Sequence, residues 1–411
     1  MRNSSVQTYF GPSAALQPLP VPPAMDVALL PTPLPVAEAG RDPIASAKRE
    51  PTEKGPMHQT LFTVGPVQMY PESLRIASQQ IPYFRTEEFS QTVLECEKMM
   101  CALAAAPTGS RMILLTASGT GAMEAAVLNL LGPEDRALIV VGGGFGQRFC
   151  DICEDHGIPY DAIRLEPGQS IKPARIDALE LENYKALLVN AHETSTGVLY
   201  DLDRLGAACR RSGTFFIVDA ISAFLCDPID MAGLGIDLFM TGSQKALALA
   251  PGLSILILGP RALEDVKRRK IRSHYFAFPR YLADAERGQT PFTPAVGVIL
   301  QLHERLNSIM AVGAAELTRR CSAMAMHFRA SINGLPFAVF PDSPSNALTA
   351  LTPTNGASAY DIYSTLKSRF CLVVTPNGGA LRDKVFRVGH MGNLAKSDMD
   401  VLATALKEIS K

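Results

Sequence analysis

Leu238-Phe239-Met240-Thr241-Gly242-Ser243-Gln244-Lys245-Ala246 is the stretch on which the fold reading turns. It opens with a short apolar run of strand character, passes through small residues and ends on a lysine. A lysine that directly follows an apolar strand is poorly placed as a solvated surface charge. Amines in dry pockets lose proton affinity and become nucleophiles or Schiff-base formers. The competing reading is a lysine whose stem lies on the surface with its amine in water.

Outward from this stretch, short Val/Ile/Leu-rich runs alternate with helical patterns. Upstream, strands are predicted at 112–116, 137–141, 186–190 and 215–218, with helices at 121–131, 146–156 and 202–211; the stretch itself opens with a strand at 238–241. A further strand is predicted at 253–258. Such alternation predicts an α/β fold whose mostly parallel sheet is covered on both faces, with ligands at the carboxyl ends of the strands. After Pro294 the pattern changes to helices at 295–306 and 314–335, a strand at 337–341, a helix at 358–370, strands at 372–375 and 385–388, and a last helix at 396–409. This reads as a smaller α+β unit. The expected organisation is a proline-rich tail over 1–56, a large domain over 57–315 and a small C-terminal domain over 316–411. The tail carries eleven prolines and is expected to be disordered, because it offers too little apolar surface to offset its ordering entropy.

Three more features fall at predicted strand ends. Ser118-Gly119-Thr120-Gly121 opens a helix, where unpaired N–H groups and a positive dipole end suit a phosphate; an N-cap without a ligand reads equally well. It is neither a Walker A loop nor a dinucleotide fingerprint. Gly142-Gly143-Gly144-Phe145-Gly146 sets one aromatic among glycines, either to stack on a flat ring or to plug the core at a turn. Asp219 closes an apolar strand, where it is either a cap or ion pair, or the partner of a cation such as a protonated pyridinium nitrogen. A phosphate cup, a stacking aromatic, a buried acid and a late lysine, in that chain order, together point to pyridoxal 5′-phosphate (PLP).

Taken jointly, the motifs resemble one family. They are Phe62-Thr63-Val64-Gly65-Pro66, Ala117-Ser118-Gly119-Thr120-Gly121-Ala122-Met123-Glu124-Ala125-Ala126, His192-Glu193-Thr194-Ser195-Thr196-Gly197, Val218-Asp219-Ala220, Gly242-Ser243-Gln244-Lys245-Ala246-Leu247, Gln289-Thr290-Pro291-Phe292-Thr293-Pro294 and Phe386-Arg387-Val388-Gly389. From about residue 60 to 410 the chain resembles the class V aminotransferases of PLP fold type I, in the alanine–glyoxylate, serine–pyruvate and 2-aminoethylphosphonate–pyruvate branch. The resemblance implies a large domain with a seven-stranded type of sheet and a homodimer with shared active sites. It also implies ping-pong transfer of an amino group from a small donor to a 2-oxo acid. By the same resemblance Lys245 holds the cofactor as a Schiff base and moves the proton, and Asp219 keeps the pyridine nitrogen protonated. Ser118, Gly119, Thr120 and Gln244 hold the phosphate, Phe145 stacks on the ring and Thr194 lies near the ring hydroxyl. Thr293 reaches the neighbouring subunit's phosphate, and Arg387 grips the substrate carboxylate, as a planar guanidinium is suited to do.

Phe84-Arg85 and Thr290 depart from residues found in several members. Arg85 is expected in a surface ion pair with Glu87 or Glu88, and His192 is expected to orient its loop. The segment Pro82–Thr86 leans toward the phosphonate-linked members. Two other functions stand beside transamination: a PLP lyase of the cysteine desulfurase type, and a non-catalytic PLP-fold scaffold. Against the lyase, Phe145 stands where a histidine would stack, and Cys371 adjoins a predicted strand.

Composition narrows the partners. With 39 Lys plus Arg against 40 Asp plus Glu, the net charge of −1 provides no field for gathering nucleic acid or an acidic membrane. No apolar run reaches the ~18 residues a membrane helix needs. The eight cysteines are sparse for a secreted disulfide scaffold, and Cys150 and Cys153 read as buried helix residues. A cytoplasmic enzyme acting on a small amino donor and a 2-oxo acid is the expectation.

Overall fold

The computed structural model describes residues 59–411, so the tail expected over 1–56 lies outside the described residues. Seven strands build the central sheet: β1 (Arg111–Leu115), β2 (Ala137–Val141), β3 (Tyr160–Arg164), β4 (Ala186–Asn190), β5 (Phe215–Asp219), β6 (Leu238–Gly242) and β7 (Ser254–Leu258). Their order is β1-β7-β6-β5-β4-β2-β3. Every pairing is parallel except the two made by β7, which runs antiparallel to β1 and β6. The expected mostly parallel sheet is therefore present, with one reversed strand.

The strands are apolar throughout because both faces are covered. Leu187, Val189, Phe216 and Val218 join one core cluster, and the intervening Leu188 and Ile217 join the other. This is the period-2 alternation of a pleated strand, here buried on both sides. Helices α1 (Gly119–Leu130), α2 (Gly144–Asp155) and α3 (Leu202–Ser212) follow β1, β2 and β4. Because β1, β2, β4, β5 and β6 share one direction, their carboxyl ends finish on the same edge of the sheet, where α/β folds bind ligands.

After α4 (Val296–Val312) and α5 (Ala314–Ser331) comes a four-stranded antiparallel sheet. It contains β8 (Phe337–Val339), β9 (Leu348–Pro353), β10 (Thr375–Pro376) and β11 (Phe386–Gly389), in the order β8-β9-β11-β10. Helices α6 (Ala359–Phe370) and α7 (Lys396–Ile409) complete it. Leu366, Phe386 and Leu402 share its core with Phe62, a residue from the other end of the described chain. Thr60–Leu61 pairs in parallel with Leu372–Val373, the Val64 N–H donates to Thr375 Oγ1 at 3.0 Å, and the Gly389 N–H donates to the Phe62 carbonyl at 2.8 Å. Residues 60–64 are thus stitched to the C-terminal sheet before the chain reaches the large one. Among the described residues no helix is long and apolar enough to cross a membrane.

Candidate active site

Lys245 lies in the loop that leaves β6 and returns as β7, and only 8% of it is exposed. Its Nζ donates to the Val64 carbonyl at 2.6 Å. Burial pulls its amine down to about 8, with the Asp219 carboxylate opposing that shift. Gly65 has φ +128°, a conformation that favours glycine, and a Cβ there would sit 2.7 Å from Lys245 Cδ. Asp219 ends the neighbouring strand. It accepts from Asn190 Nδ2 at 2.5 Å across the β4–β5 register and from the Ile221 N–H at 2.8 Å. Burial pushes its carboxyl up to about 6, the bonds from Ile221 and Asn190 holding it back.

Two strand-to-helix turns flank this pair. At the first, Ser118 is the N-cap of α1 but makes no side-chain cap bond, and its carbonyl is held by Ser254 Oγ at 2.7 Å. The first-turn N–H groups of such a helix lack intrahelical partners. Thr120 Oγ1 accepts from Arg148 Nη1 at 3.0 Å. At the second turn the N–H groups of α2 are already taken. Glu193, fully buried, accepts through Oε2 from the N–H of Phe145 at 3.2 Å and of Gly146 at 3.0 Å. Phe145 is half-buried and so is no core plug; the Arg148 guanidinium lies over its ring, 4.8 Å from the centroid.

A hydrogen-bonded chain runs from His192 Nδ1 to Ser222 Oγ at 2.9 Å and on to Thr194 Oγ1 at 2.7 Å. His192 is buried, which lowers its ring to about 3 and keeps it neutral; its Nε2 has no partner among the described residues. This fits the loop-orienting role expected of it. Arg387 is on the interior strand β11 and is 8% exposed. Its Nη1 donates to the Thr194 carbonyl at 3.0 Å and its Nη2 to the Pro376 carbonyl at 2.6 Å, while Nε is buried without a partner. Desolvation brings the guanidinium down to about 10.

Lys245, Asp219, Thr194, Phe145, Ser118, Gly119 and Thr120 therefore stand on one edge of the large sheet, and Arg387 joins them through the Thr194 carbonyl. Gln244, half-buried, sits beside Gly242, where an added Cβ would lie 2.9 Å from its Oε1. Thr293 is exposed and takes no part in these hydrogen bonds. Arg85 does not form the expected ion pair with Glu87 or Glu88. It donates instead to Gln289 Oε1 at 3.0 Å and the Thr290 carbonyl at 2.8 Å, because the loop offers two fixed acceptors in place of a mobile surface acid. Cys150 and Cys153 are buried on α2, and burial raises both thiols, Cys153 to about 12. Glu193, Asn190, Ser222 and Arg148 were not singled out from the sequence. Asn190, a polar residue ending an apolar strand next to another strand ending in Asp219, carried the one usable signal.

These groups fit pyridoxal phosphate. Asp219 and Arg387 are buried charges without an ion pair among the described residues, an arrangement that is costly unless a ligand supplies the opposite charge. A protonated ring nitrogen does so for the acid and a substrate carboxylate for the arginine, while the uncapped start of α1 suits a phosphate.

The Aminotransferase class-V family model matches residues 78–379. The soluble hydrogenase 42 kDa subunit of Anabaena cylindrica is 32% identical over 351 residues, spanning 84% of this chain and 90% of its own length. The alanine–glyoxylate aminotransferase of Oryctolagus cuniculus is 30% identical over 363 residues, spanning 85% of this chain and 92% of its own. Among solved structures, an alanine–glyoxylate aminotransferase from Nostoc sp. superposes with a TM-score of 0.81 at 26% identity, covering 91% of this chain and 100% of that one. The match extends from the N-terminal side of β1 to the loop before β11, and on that ground the chain belongs to the class V aminotransferases, PLP enzymes of fold type I.

Proposed function

We propose that the protein moves the amino group of a small 2-amino acid, alanine or serine, to a 2-oxo acid, glyoxylate or pyruvate, by a ping-pong route. The observation that carries this reading is Arg387: a buried guanidinium with no ion pair among the described residues, whose charge is felt at Lys245, is built for a carboxylate, and every 2-amino acid has one. Glyoxylate as acceptor draws support from the names of the rabbit and Nostoc relatives. 2-Aminoethylphosphonate remains a second donor, since a guanidinium also takes a phosphonate, though it lacks the planar carboxylate that two parallel bonds match best.

Bound pyridoxal phosphate supplies a carbonyl carbon for the incoming nitrogen and a cationic ring that draws electrons from the substrate α-carbon. Lys245 would anchor the cofactor and then, with its amine pulled down to about 8, move the proton from the substrate α-carbon to the C4′ carbon of the cofactor, which leaves the nitrogen on the cofactor and releases the donor as a 2-oxo acid. Asp219 holds the proton on the ring nitrogen. The N–H groups and hydroxyls of Ser118, Gly119 and Thr120, with Gln244, hold the phosphate. Phe145 covers one ring face, the Thr194 hydroxyl meets the ring hydroxyl, and Arg387 fixes the donor by its carboxylate. Thr293, exposed in its loop, serves the phosphate of a second copy, which makes the working unit a homodimer. We assign the protein to the cytoplasm.

Visible absorbance of the purified protein tests the reading. The expected result is a band that borohydride fixes to Lys245, that Lys245→Ala abolishes, that alanine or serine bleaches and that glyoxylate restores. Bleaching by 2-aminoethylphosphonate alone would shift the donor to the phosphonate class. A protein that no 2-amino acid and no aminophosphonate bleaches would sink the proposal.

A further inference from the structure

The turn at 192–197 is more than a cofactor-contacting motif. The Glu193 carbonyl accepts from the N–H groups of Thr196 at 3.1 Å and Gly197 at 2.8 Å, which closes the turn. Its carboxylate accepts from four groups: the N–H of Phe145 and of Gly146, the Ser195 N–H at 3.1 Å and the Ser195 hydroxyl at 2.5 Å. Ser195 Oγ in turn accepts from the Gly144 N–H at 3.2 Å. A Cβ on Gly143 would stand 2.6 Å from Glu193 Cδ, so the missing side chain leaves the space that the Glu193 side chain fills. On its other side the same turn holds the C-terminal sheet. The Thr194 carbonyl binds Arg387 Nη1 at 3.0 Å, and the Ser195 carbonyl binds Asn377 Nδ2 at 3.1 Å.

One carboxylate thus fixes a turn that touches the start of α2 at one end and the Arg387 strand at the other. From this geometry we infer that Glu193 is a positioning residue that sets the plane of the Phe145 ring and the reach of Arg387 together, coupling cofactor stacking to the grip on the substrate carboxylate. The inference rests on the proposed roles of Phe145 and Arg387. Glutamine is a poor substitute. It keeps one acceptor oxygen and places an NH2 against whichever donors the other oxygen served, the two amides of α2 or the N–H and hydroxyl of Ser195. Alanine removes both sets. Glu193 also bears on Arg387 as the carboxylate whose charge opposes the effect of its burial.

The test uses the full chain stripped of and then reloaded with pyridoxal phosphate. Cofactor affinity is read by titrating the stripped protein, ring orientation by the circular dichroism of the bound cofactor, and carboxylate affinity by calorimetry with propionate, a non-reacting analogue of alanine. Glu193→Ala is expected to weaken both affinities about tenfold or more and to change the dichroic band. Phe145→Ala should weaken the cofactor alone, and Arg387→Lys propionate alone. Glu193→Gln, which keeps the fold if alanine does not, should show the same paired losses at about threefold. Unchanged affinities in a less stable Glu193→Gln protein would overturn the inference, and so would tighter propionate binding, which would mark Glu193 as a simple countercharge. If the unsubstituted chain binds no pyridoxal phosphate, the fault lies with the functional reading and not with Glu193.

Discussion

The starts of α1 and α2 are the same device put to opposite uses. Each follows a strand that runs in the common direction of β1, β2, β4, β5 and β6, each is entered through small residues and each points its first N–H groups at the carboxyl edge of the sheet. Counting glycines would favour the second turn, Gly142–Gly146, as the phosphate cradle. Yet there the protein has supplied its own anion, Glu193, and the first turn, with an N-cap serine that makes no cap bond, is the one left open. Whether a helix N-terminus is available to a ligand is therefore decided by residues far away in the chain. Here the deciding residue is in the turn after β4, beyond any local motif.

The sharpest way to break the contrast is to make the first turn like the second. Ser118→Asp places a carboxylate over the start of α1. Two anions ~4 Å apart at an effective dielectric of about 20 repel by ~4 kcal/mol, so cofactor affinity should fall at least a hundredfold in a titration of the stripped protein. Because aspartate is also a good N-cap, the thermal stability of that stripped protein should hold or rise. Normal binding by this variant would move the phosphate to another site.

A second test addresses Asp219, whose Ile221 neighbour covers Gly119 in the first turn; a Cβ on Gly119 would lie 2.3 Å from Ile221 Cδ1. Burial pushes the carboxyl up to about 6, above its unfolded value, so the folded stripped protein holds a proton that the unfolded chain has lost. Stability should then decline as pH climbs from about 4 through 6, by up to about 3 kcal/mol. Asp219→Asn should flatten that part of a urea-unfolding profile, and so should reloading with the cofactor, whose ring cation supplies the missing charge. A profile identical in all three proteins would show that the acid is not held protonated.

Smaller effects sharpen the comparison at the second turn and between the two. Gly146→Ala would place a Cβ 2.4 Å from the Val140 carbonyl oxygen, forcing α2 away from β2. Denaturant unfolding should register about 2 kcal/mol of lost stability. Arg148→Met deletes the bond from α2 to Thr120 on α1. The cofactor dissociation constant should rise by about two- to fivefold, the value of one part-buried hydrogen bond.

Much of this was legible in the sequence, for a definite reason. Strands buried on both faces leave uninterrupted apolar runs, and the runs ending in Val141, Asn190 and Leu258 announce themselves. Edge strand β3, Tyr160-Asp161-Ala162-Ile163-Arg164, went unread because its exposed positions are polar. The helix Glu87–Leu103 and strand β9 went unread as well; the helix buries only one stripe, and β9, Leu348-Thr349-Ala350-Leu351-Thr352-Pro353, sets its threonines three apart, off the period of a strand, and ends on proline. At the site, Lys245, Asp219 and the Ser118–Thr120 turn were visible because each ends or closely follows an apolar strand at its carboxyl end. Glu193 was not, since an acid three residues past a strand looks the same whether it faces water or four hydrogen-bond donors.

The stitching of residues 60–64 to the C-terminal sheet has a consequence for how the protein is made. The carbonyl that holds Lys245 belongs to Val64, and Val64 is itself held by Thr375, with Phe62 pinned between Val373 and Gly389. A nascent chain that has already built the whole seven-stranded sheet still lacks those anchors. The anchors of the segment that receives Lys245 are thus residues 373–389, which leave the ribosome more than 120 residues after the lysine itself.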